Sequence, residues 1–181
     1  MTNFIALSGP ARSGKDTAAK YLIENYGYTK VSFAAPIREA LYRLNPKITL
    51  DGVCNVSLQV GVNIYGWDAM KTHAPEIRGL LQRFGTEVGR EMFGDDIWVN
   101  IAIAEALKHD KAVFTDCRYP NEAEAVRSIG GEVWSISRDG VGPVNDHTSE
   151  NAMVDYKFDQ FVSNDSTLES LHEQLNAIFK K

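Results

Sequence analysis

A glycine-rich run near the start of the chain limits the possible folds more than any other feature. The apolar residues Phe4-Ile5-Ala6-Leu7 lead almost directly into Gly-Pro-Ala-Arg-Ser-Gly-Lys-Asp-Thr, residues 9–17. This is the G-x-x-x-x-G-K frame, in which glycines let the backbone curl so that successive N–H groups point at one phosphate chain. A helix that begins at the lysine adds the favourable end of its dipole. The run therefore predicts a strand, a phosphate-binding loop and a helix, with a glycine-rich turn and an accidental lysine as the alternative.

Two residues of this loop indicate its chemistry. Lys15 is expected to reach the β- and γ-phosphates of a nucleoside triphosphate. Asp16 stands where Ser or Thr normally binds Mg²⁺, and a carboxylate is also a hard oxygen ligand for that ion. We therefore expect the exchange to change the magnesium chemistry without abolishing it.

Length and charge exclude several classes of protein. The 181 residues suit one domain, and the 44% hydrophobic and 24% charged residues are ordinary for a globular protein. A net charge of -5 argues against broad nucleic-acid binding, which needs a basic surface. We expect neither a signal peptide nor a membrane span, and reduced thiols at Cys54 and Cys117, as in a cytoplasmic protein. The histidines form no H-E-x-x-H pattern, which argues against a zinc site.

Short apolar runs alternate with amphipathic ones along most of the chain, which predicts βαβ units around a mainly parallel sheet. Strands are expected at about 4–7, 30–33, 112–115, 132–137 and 158–163, and helices at 15–26, 36–44, from 75, from 95 or 96, 120–129 and 168–179. Residues 45–75 show little periodicity, and we interpret them as an irregular inserted loop or small cap. Residues 138–153 are polar and typical of a mobile lid. A nucleotide would lie at the carboxyl ends of the strands.

Asp116 ends an apolar strand, the place from which a Walker-B type carboxylate reaches Mg²⁺ directly or through water. Taken alone, it could equally be a helix cap or a turn residue. Arg118 follows at the same edge, where it can bind two phosphate oxygens or form a surface ion pair with Glu122. We predict a metal-side carboxylate at Asp116 and leave both roles of Arg118 open.

Phosphoryl transfer to a second phosphate needs cations for the acceptor as well. Arg38 and the pair Arg83 and Arg90, which are seven residues apart, are well placed in the sequence to supply them. The pair projects from one helix face if Gly85 and Gly89 do not break the helix. The alternative is a solvated basic stripe, but each helical glycine costs about 1 kcal/mol, which favours a substrate-facing surface.

The lid segment contributes one arginine. A lid that closes over phosphates must carry cationic and polar groups and must exclude water. Arg138 is therefore the candidate for the cation that acts on the transferring phosphoryl group, whereas taken alone this segment would be an exposed loop.

Five segments together resemble the bacteriophage deoxynucleoside monophosphate kinases, members of the P-loop nucleoside monophosphate kinase group. The segments are 13–17, 32–38, 83–90 with Trp98 beyond, 116–122 and 147–150. The resemblance implies an α/β P-loop kinase fold with a five-stranded parallel sheet, helices on both faces and a small lid. It implies one domain over residues 1–181, with 45–75 as the monophosphate-binding insertion and 138–153 as the lid. The Gly-Lys-Asp variant is also similar to animal-type phosphomevalonate kinase, so it does not identify the substrate.

The resemblance also implies the reaction ATP + dNMP → ADP + dNDP with Mg²⁺, and roles for individual residues. Those for ATP are Gly9, Arg12, Ser13, Gly14, Lys15, Asp16, Thr17 and Asn164. Those for the monophosphate are Phe33, Arg38, Arg83, Glu87, Arg90 and Glu150. Those for catalysis are Lys15, Arg118 and Arg138, and those for the metal are Asp16 and Asp116. The implied partners are small nucleotides, with no nucleic acid or membrane, a homodimer kept in view, and the host cytoplasm as the location if a phage encodes the chain.

Three questions stay open at this point. Trp67, Trp98 or Phe33 could exclude a 2′-hydroxyl, although each could equally pack in a core. The acceptor could be another phosphorylated metabolite, such as dephospho-coenzyme A. A nucleotide-binding switch is the third reading, but no guanine-reading Asn-Lys-x-Asp motif is present, and the second arginine group would be unexplained.

Overall fold

The computed structural model of the protein describes residues 2–142 and 152–180. They belong to two compact units, one of residues 1–33 with 99–181 and the other of residues 34–98. No helix in the described parts of the chain is long and apolar enough to cross a membrane.

The strands are β1 (Phe4–Ser8), β2 (Thr29–Val31), β3 (Lys47–Leu50), β4 (Cys54–Ser57), β5 (Ala112–Cys117), β6 (Glu132–Ser137) and β7 (Gln160–Ser163). The helices are α1 (Lys15–Tyr26), α2 (Ala35–Leu44), α3 (Leu58–His73), α4 (Glu76–Arg83), a π-helical segment (Phe84–Arg90), α5 (Glu91–Phe93), α6 (Ile97–Ala106), α7 (Pro120–Ser128) and α8 (Leu168–Phe179).

The first unit is built on a five-stranded sheet in the order β2-β5-β1-β6-β7, with every pairing parallel. The central strand β1 pairs with β5 on one side, where Ile5 lies opposite Val113. It pairs with β6 on the other side, where Ala6 lies opposite Val133. The predicted five-stranded parallel sheet is confirmed, and the carboxyl ends of its strands lie along one edge.

Alternate side chains of β1 enter two separate cores. Ile5 and Leu7 are fully buried among residues of α1 and α8, and Ala6 is buried among residues of α6 and α7. Successive residues of a strand point to opposite faces of the sheet, so helices cover both faces, as predicted. Burying each Leu- or Ile-sized side chain contributes about 1.5–3 kcal/mol to folding.

Helix α1 has the bounds predicted from the sequence. Gly14 precedes it with φ 105°, and Gly27 follows it with φ 72°, in a left-handed conformation suited to a helix end. The Gly27 N–H donates to the Ile23 carbonyl at 3.3 Å, and the Tyr28 N–H donates to the Leu22 carbonyl at 3.4 Å. Both ends of the helix that follows the phosphate loop are therefore fixed by glycine.

The second unit contains a hairpin and helices around a core of its own. Strands β3 and β4 pair antiparallel, with Lys47 opposite Ser57. The buried members of the core are Leu41, Ile48, Leu58, Met70, Ala74 and Ile77. The expectation that residues 45–75 are irregular was wrong, because they contain β3, β4 and α3. Each strand is only four residues long, and Gly66 (φ 75°, ψ 163°) interrupts α3, so neither the strand nor the helix periodicity is clear in the sequence.

Residues Phe84–Arg90 form a π-helical segment rather than a continuation of α4. A π-helix bonds residue i to i+5 instead of i+4, so seven residues do not make two turns there. The condition for the shared face of Arg83 and Arg90, an unbroken α-helix, is not met.

Candidate active site

The loop between β1 and α1 can be built only with glycine at both ends. A Cβ on Gly9 (φ 142°) would lie 2.2 Å from the Ile136 carbonyl oxygen, and a Cβ on Gly14 would lie 2.3 Å from Nδ2 of Asn164. Between them, the Ser13 N–H donates to the Pro10 carbonyl over 3.3 Å. The chain therefore curls tightly against the ends of two neighbouring strands.

Lys15 turns its ammonium into this curl. Its Nζ donates to the carbonyl oxygens of Gly9 at 2.7 Å and Pro10 at 2.6 Å, and the residue is only 8% exposed. A phosphate oxygen would offer the same group a charged acceptor, which makes a shorter and stronger hydrogen bond than a neutral carbonyl does. The lysine predicted from the G-K motif is thus already inside the loop.

Three other residues of the 9–17 run are exposed. Arg12 has φ 68°, a left-handed conformation that is uncommon for a residue other than glycine. Asp16, in the first turn of α1, has a side chain that is 84% exposed and lies 3.4 Å from Nζ of Lys30. Exposed ion pairs contribute little free energy, so this pair leaves the carboxylate available. Thr17 is exposed on the same turn.

Asp116 lies near the end of β5, beside the neighbouring strand β2. Its Oδ2 accepts a hydrogen bond from the Ser32 hydroxyl at 2.6 Å, and its Oδ1 accepts one from the Phe33 N–H at 2.9 Å. Because both oxygens are held, the carboxylate has a fixed direction at the carboxyl edge of the sheet.

The described residues contain no group of three or more His, Cys, Asp or Glu that could hold a metal ion. Mg²⁺ is usually bound through one or two carboxylates together with substrate phosphates and water, rather than by an all-protein cage. Asp16 and Asp116 supply oxygen ligands of that type, so the donor set fits magnesium that arrives with a nucleotide.

Arg118 and Arg138 follow the ends of β5 and β6. Glu122 is 3% exposed, and its Oε2 accepts hydrogen bonds from the N–H groups of Arg118 (2.7 Å) and Tyr119 (3.1 Å). Glu122 is thus a buried residue that caps α7. Arg138 is exposed directly after β6.

Asp165 follows β7, and the pKa of its carboxyl group is lowered from its ordinary value. Its pKa is lowered first by the Ser163 hydroxyl that donates to it, then by the Asp139 N–H. The positive charge of Arg138 makes a smaller contribution in the same direction. Arg138 therefore lies close to the turn that follows β7.

Asn164 also follows β7 and reaches the phosphate loop. Its backbone N–H donates to the Ser137 carbonyl at 2.8 Å, and its Nδ2 donates to the Ser13 carbonyl at 3.0 Å. Sequence reasoning associated this residue with adenine and missed the contact, because no local signal links residues 151 positions apart.

The predicted monophosphate-binding residues of the second unit lie on α2, at the end of α4 and on the π-helical segment. Arg38 has a buried Nε with no hydrogen-bond partner among the described residues. Arg83 and Glu87 form an exposed ion pair at 3.4 Å, and Nη1 of Arg90 donates to the Asp95 carbonyl at 3.2 Å. Glu150, and with it most of the predicted lid, lies outside the described residues.

The two glycines between Arg83 and Arg90 have a packing role. Nε1 of Trp98 donates to the Gly85 carbonyl at 2.8 Å, and a Cβ on Gly89 would lie 2.3 Å from Cζ2 of the same ring. Both glycines are buried and make room for an indole, so packing explains them and they do not by themselves indicate a substrate-facing surface. Phe33, by contrast, stacks on Phe114 in the core of the first unit and is 3% exposed.

Comparison with known proteins identifies the family of the chain. A family model described as deoxynucleotide monophosphate kinase matches residues 3–59 and 64–175. The deoxynucleotide monophosphate kinase of Escherichia phage RB69 is 24% identical over 241 residues, covering 97% of this chain and 99% of that protein. The enzyme of the same name from Enterobacteria phage T4 is 23% identical and covers 97% of this chain and 98% of its own.

A solved structure of another protein supports the fold, and only the fold. The crystal structure of shikimate kinase from Bacteroides thetaiotaomicron superposes with a TM-score of 0.50 at 12% identity, covering 100% of both chains. The fold of this chain is therefore shared with that kinase. The match of the family model over most of the chain shows that the protein is a kinase that belongs to the deoxynucleotide monophosphate kinase family.

Proposed function

We propose that the protein transfers the γ-phosphoryl group of ATP to a deoxynucleoside monophosphate, giving ADP and a deoxynucleoside diphosphate, with Mg²⁺. The observation that carries the proposal is the ammonium of Lys15 inside the Gly9–Gly14 curl, in a chain of this family. The nucleotide partners are small molecules, and the cytoplasm is the expected location.

We assign the ATP phosphates to the loop. The backbone of Gly9, Ser13 and Gly14, with Arg12 and Thr17 beside it, would surround the phosphates, and Lys15 would stabilise charge on the β- and γ-phosphates. The low exposure of Lys15 supports this role, because a cation acts more strongly where water is excluded.

The metal ion would neutralise charge on the ATP phosphates. Asp16 has an exposed carboxylate that is available as a direct ligand. Both oxygens of Asp116 accept hydrogen bonds from residues 32 and 33, which supports contact through water rather than direct ligation. Asp16 and Asp116 thus have different proposed roles on the same ion.

Arg118 and Arg138 are the proposed cations for the transferring phosphoryl group. Both follow strands whose carboxyl ends share one edge with the loop. A monophosphate is largely ionised at neutral pH, since its second pKa is about 6, so the acceptor needs no general base. Charge stabilisation is then the main catalytic requirement.

We assign the acceptor to Arg38, Arg83, Glu87 and Arg90, with Phe33 and Glu150, and to the insertion at residues 45–75. The buried Nε of Arg38 supports this assignment, because a guanidinium nitrogen without a hydrogen-bond partner among the described residues can donate to a phosphate oxygen.

A coupled assay of ADP release tests the proposal. ATP and Mg²⁺ are supplied with each of the four common dNMPs, with AMP, or with no acceptor. ADP formation that depends on one or more dNMPs is the expected result, and it also gives the base preference. ADP release without an acceptor would indicate a nucleotide-hydrolysing switch instead. ATP binding without turnover of any nucleotide, but with turnover of dephospho-coenzyme A, would identify a different acceptor.

A further inference from the structure

We propose that Asn164 is a positioning residue for the phosphate-binding loop, because its side-chain amide fixes the direction of the Ser13–Gly14 peptide. The inference rests on the proposed function in one respect, namely that residues 9–17 bind nucleotide phosphates. It gives Asn164 a role in orienting the loop, in place of a contact with adenine.

Asn164 is itself held firmly at the end of β7. Its N–H donates to the Ser137 carbonyl at 2.8 Å, which extends the pairing of β6 and β7 by one residue. The next residue, Asp165, accepts hydrogen bonds from the Ser163 hydroxyl and from the Asp139 N–H. The backbone that carries the Asn164 side chain is therefore fixed on both sides.

The Asn164 amide makes two contacts with one peptide of the loop. Its Nδ2 donates to the Ser13 carbonyl oxygen at 3.0 Å. The same Nδ2 lies only 2.3 Å from where a Cβ on Gly14 would be. Ser13 is fully buried and Gly14 has φ 105°, so the amide packs directly on a peptide that precedes the first residue of α1.

The contact with Ser13 also sets the direction of the Gly14 N–H. In a planar trans peptide, the carbonyl oxygen and the amide hydrogen point to opposite sides. Because the Ser13 carbonyl points at Asn164, the Gly14 N–H points away from it. N–H groups at the start of a helix are the donors that bind anions in sites of this type.

Glycine at position 14 makes this support necessary. Glycine is required there for the close approach of the amide, but it also has the widest choice of backbone conformations. Glycine has no side chain that could keep the peptide in one orientation. A donor from outside the loop removes that freedom, and asparagine provides it, whereas a carboxylate could only accept hydrogen bonds and would bring negative charge towards the phosphates.

The test compares binding of ATP and of inorganic tripolyphosphate, which has no base, by titration calorimetry of the full chain in Mg²⁺-free buffer. In Asn164→Ala, both affinities should fall by the same factor, about tenfold for one hydrogen bond. The KM for the dNMP should stay within twofold. If Asn164 contacted adenine instead, Asn164→Ala would weaken the binding of ATP and leave the binding of tripolyphosphate unchanged. That result would overturn the proposal.

Asn164→Asp is the second variant, because it keeps the shape of the side chain and replaces the donor by a carboxylate. We expect it to lose more affinity for tripolyphosphate than Asn164→Ala does. Unchanged affinity in this variant would also overturn the proposal.

Gln174→Ala is the matched control. The Gln174 amide bonds the N–H and the carbonyl of Ser163 (3.0 and 2.8 Å) at the end of the same strand. We expect its affinity for tripolyphosphate to stay within twofold of wild type, whatever its effect on Tm. An equal loss of affinity in Asn164→Ala and Gln174→Ala would mean that loosening β7 is the cause, and the positioning role would be rejected.

Failure of the proposed function would give a different result. In that case the wild-type chain itself would bind neither ATP nor tripolyphosphate. Normal binding by wild type and by both Asn164 variants would contradict only the positioning role.

Discussion

The indole ring of Trp98 lies directly on the Cα of Gly89, so close that a Cβ there would be 2.3 Å from the ring. The same ring donates its N–H to the Gly85 carbonyl at 2.8 Å. Both glycines belong to the π-helical segment and are buried. The missing side chain of Gly89 is therefore what allows the segment between Arg83 and Arg90 to pack on Trp98.

Gly89→Ala should lower the free energy of unfolding by about 1–3 kcal/mol, because the added methyl group has no space and the ring must move. We also expect the substitution to raise the KM for the acceptor more than the KM for ATP. The reason is that Arg83 directly precedes the segment that shifts and Arg90 is its last residue. Urea denaturation and the coupled assay measure the two effects.

Gly79→Ala is the control for this substitution. Gly79 is in α4, where an added Cβ meets nothing within 4 Å. Alanine is favoured over glycine in a helix by about 0.5–1 kcal/mol, so this variant should be as stable as wild type or more stable. Equal stability of the two variants would show that the Trp98 contact is relaxed in solution.

Lys15→Ala should reduce kcat by at least about 100-fold, because the ammonium stabilises charge on the phosphates in the transition state. The fold should survive, since the ammonium of Lys15 donates to carbonyls of the loop itself, those of Gly9 and Pro10. Circular dichroism and Tm check the fold, and the coupled assay checks the rate.

Lys20→Ala is the matched control on the same helix. The Lys20 side chain is 73% exposed and pairs only loosely with Glu24, at 3.8 Å. Its removal should leave kcat and KM unchanged. Near-normal turnover of Lys15→Ala would show that the loop does not bind the reacting phosphates.

The parallel sheet and the loop could be predicted because their signals are local. Gly27 ends α1 and the apolar run at β5 predicts a buried strand, without reference to the rest of the chain. The hairpin β3–β4 could not be predicted in this way, because four-residue strands carry no clear alternation.

Contacts between distant residues account for the rest of what sequence reasoning missed. The role of Gly89 depends on the Trp98 ring, and the position of the Asn164 amide depends on Ser13, 151 residues away. A sequence shows that a glycine or an asparagine is present, but only the fold shows which group lies against it.

Asp116→Asn should reduce kcat by at least about tenfold and raise the Mg²⁺ concentration needed for half-maximal rate. The amide keeps one hydrogen-bond acceptor for the partners at residues 32 and 33 but removes the negative charge that attracts the metal. Initial rates measured over a range of Mg²⁺ concentrations test this.

Ser32→Ala separates charge from position at the same carboxylate. It removes the 2.6 Å hydrogen bond to Asp116 and leaves the charge in place. We expect a small loss of rate and an unchanged requirement for Mg²⁺. If the two variants had the same Mg²⁺ dependence, the role of Asp116 would be to hold the end of β2, and the metal role would be rejected.

The two cysteines should react very differently with iodoacetamide. Cys54 is exposed and Cys117 is 1% exposed. Burial raises the pKa of the Cys117 thiol, and the negative charges of Glu122 and Asp116 add to the shift. The thiolate is the reactive form, so a raised pKa lowers the fraction that can react at pH 8. Mass spectrometry should therefore find one labelled cysteine in the native chain and two in urea.

Cys54→Ser is the control for this prediction. In the native variant, labelling should be nearly absent at pH 8 and should stay slow at pH 9, because burial of Cys117 also blocks access of the reagent. Rapid labelling of that variant would mean that the carboxyl end of β5, which carries Asp116, opens in solution.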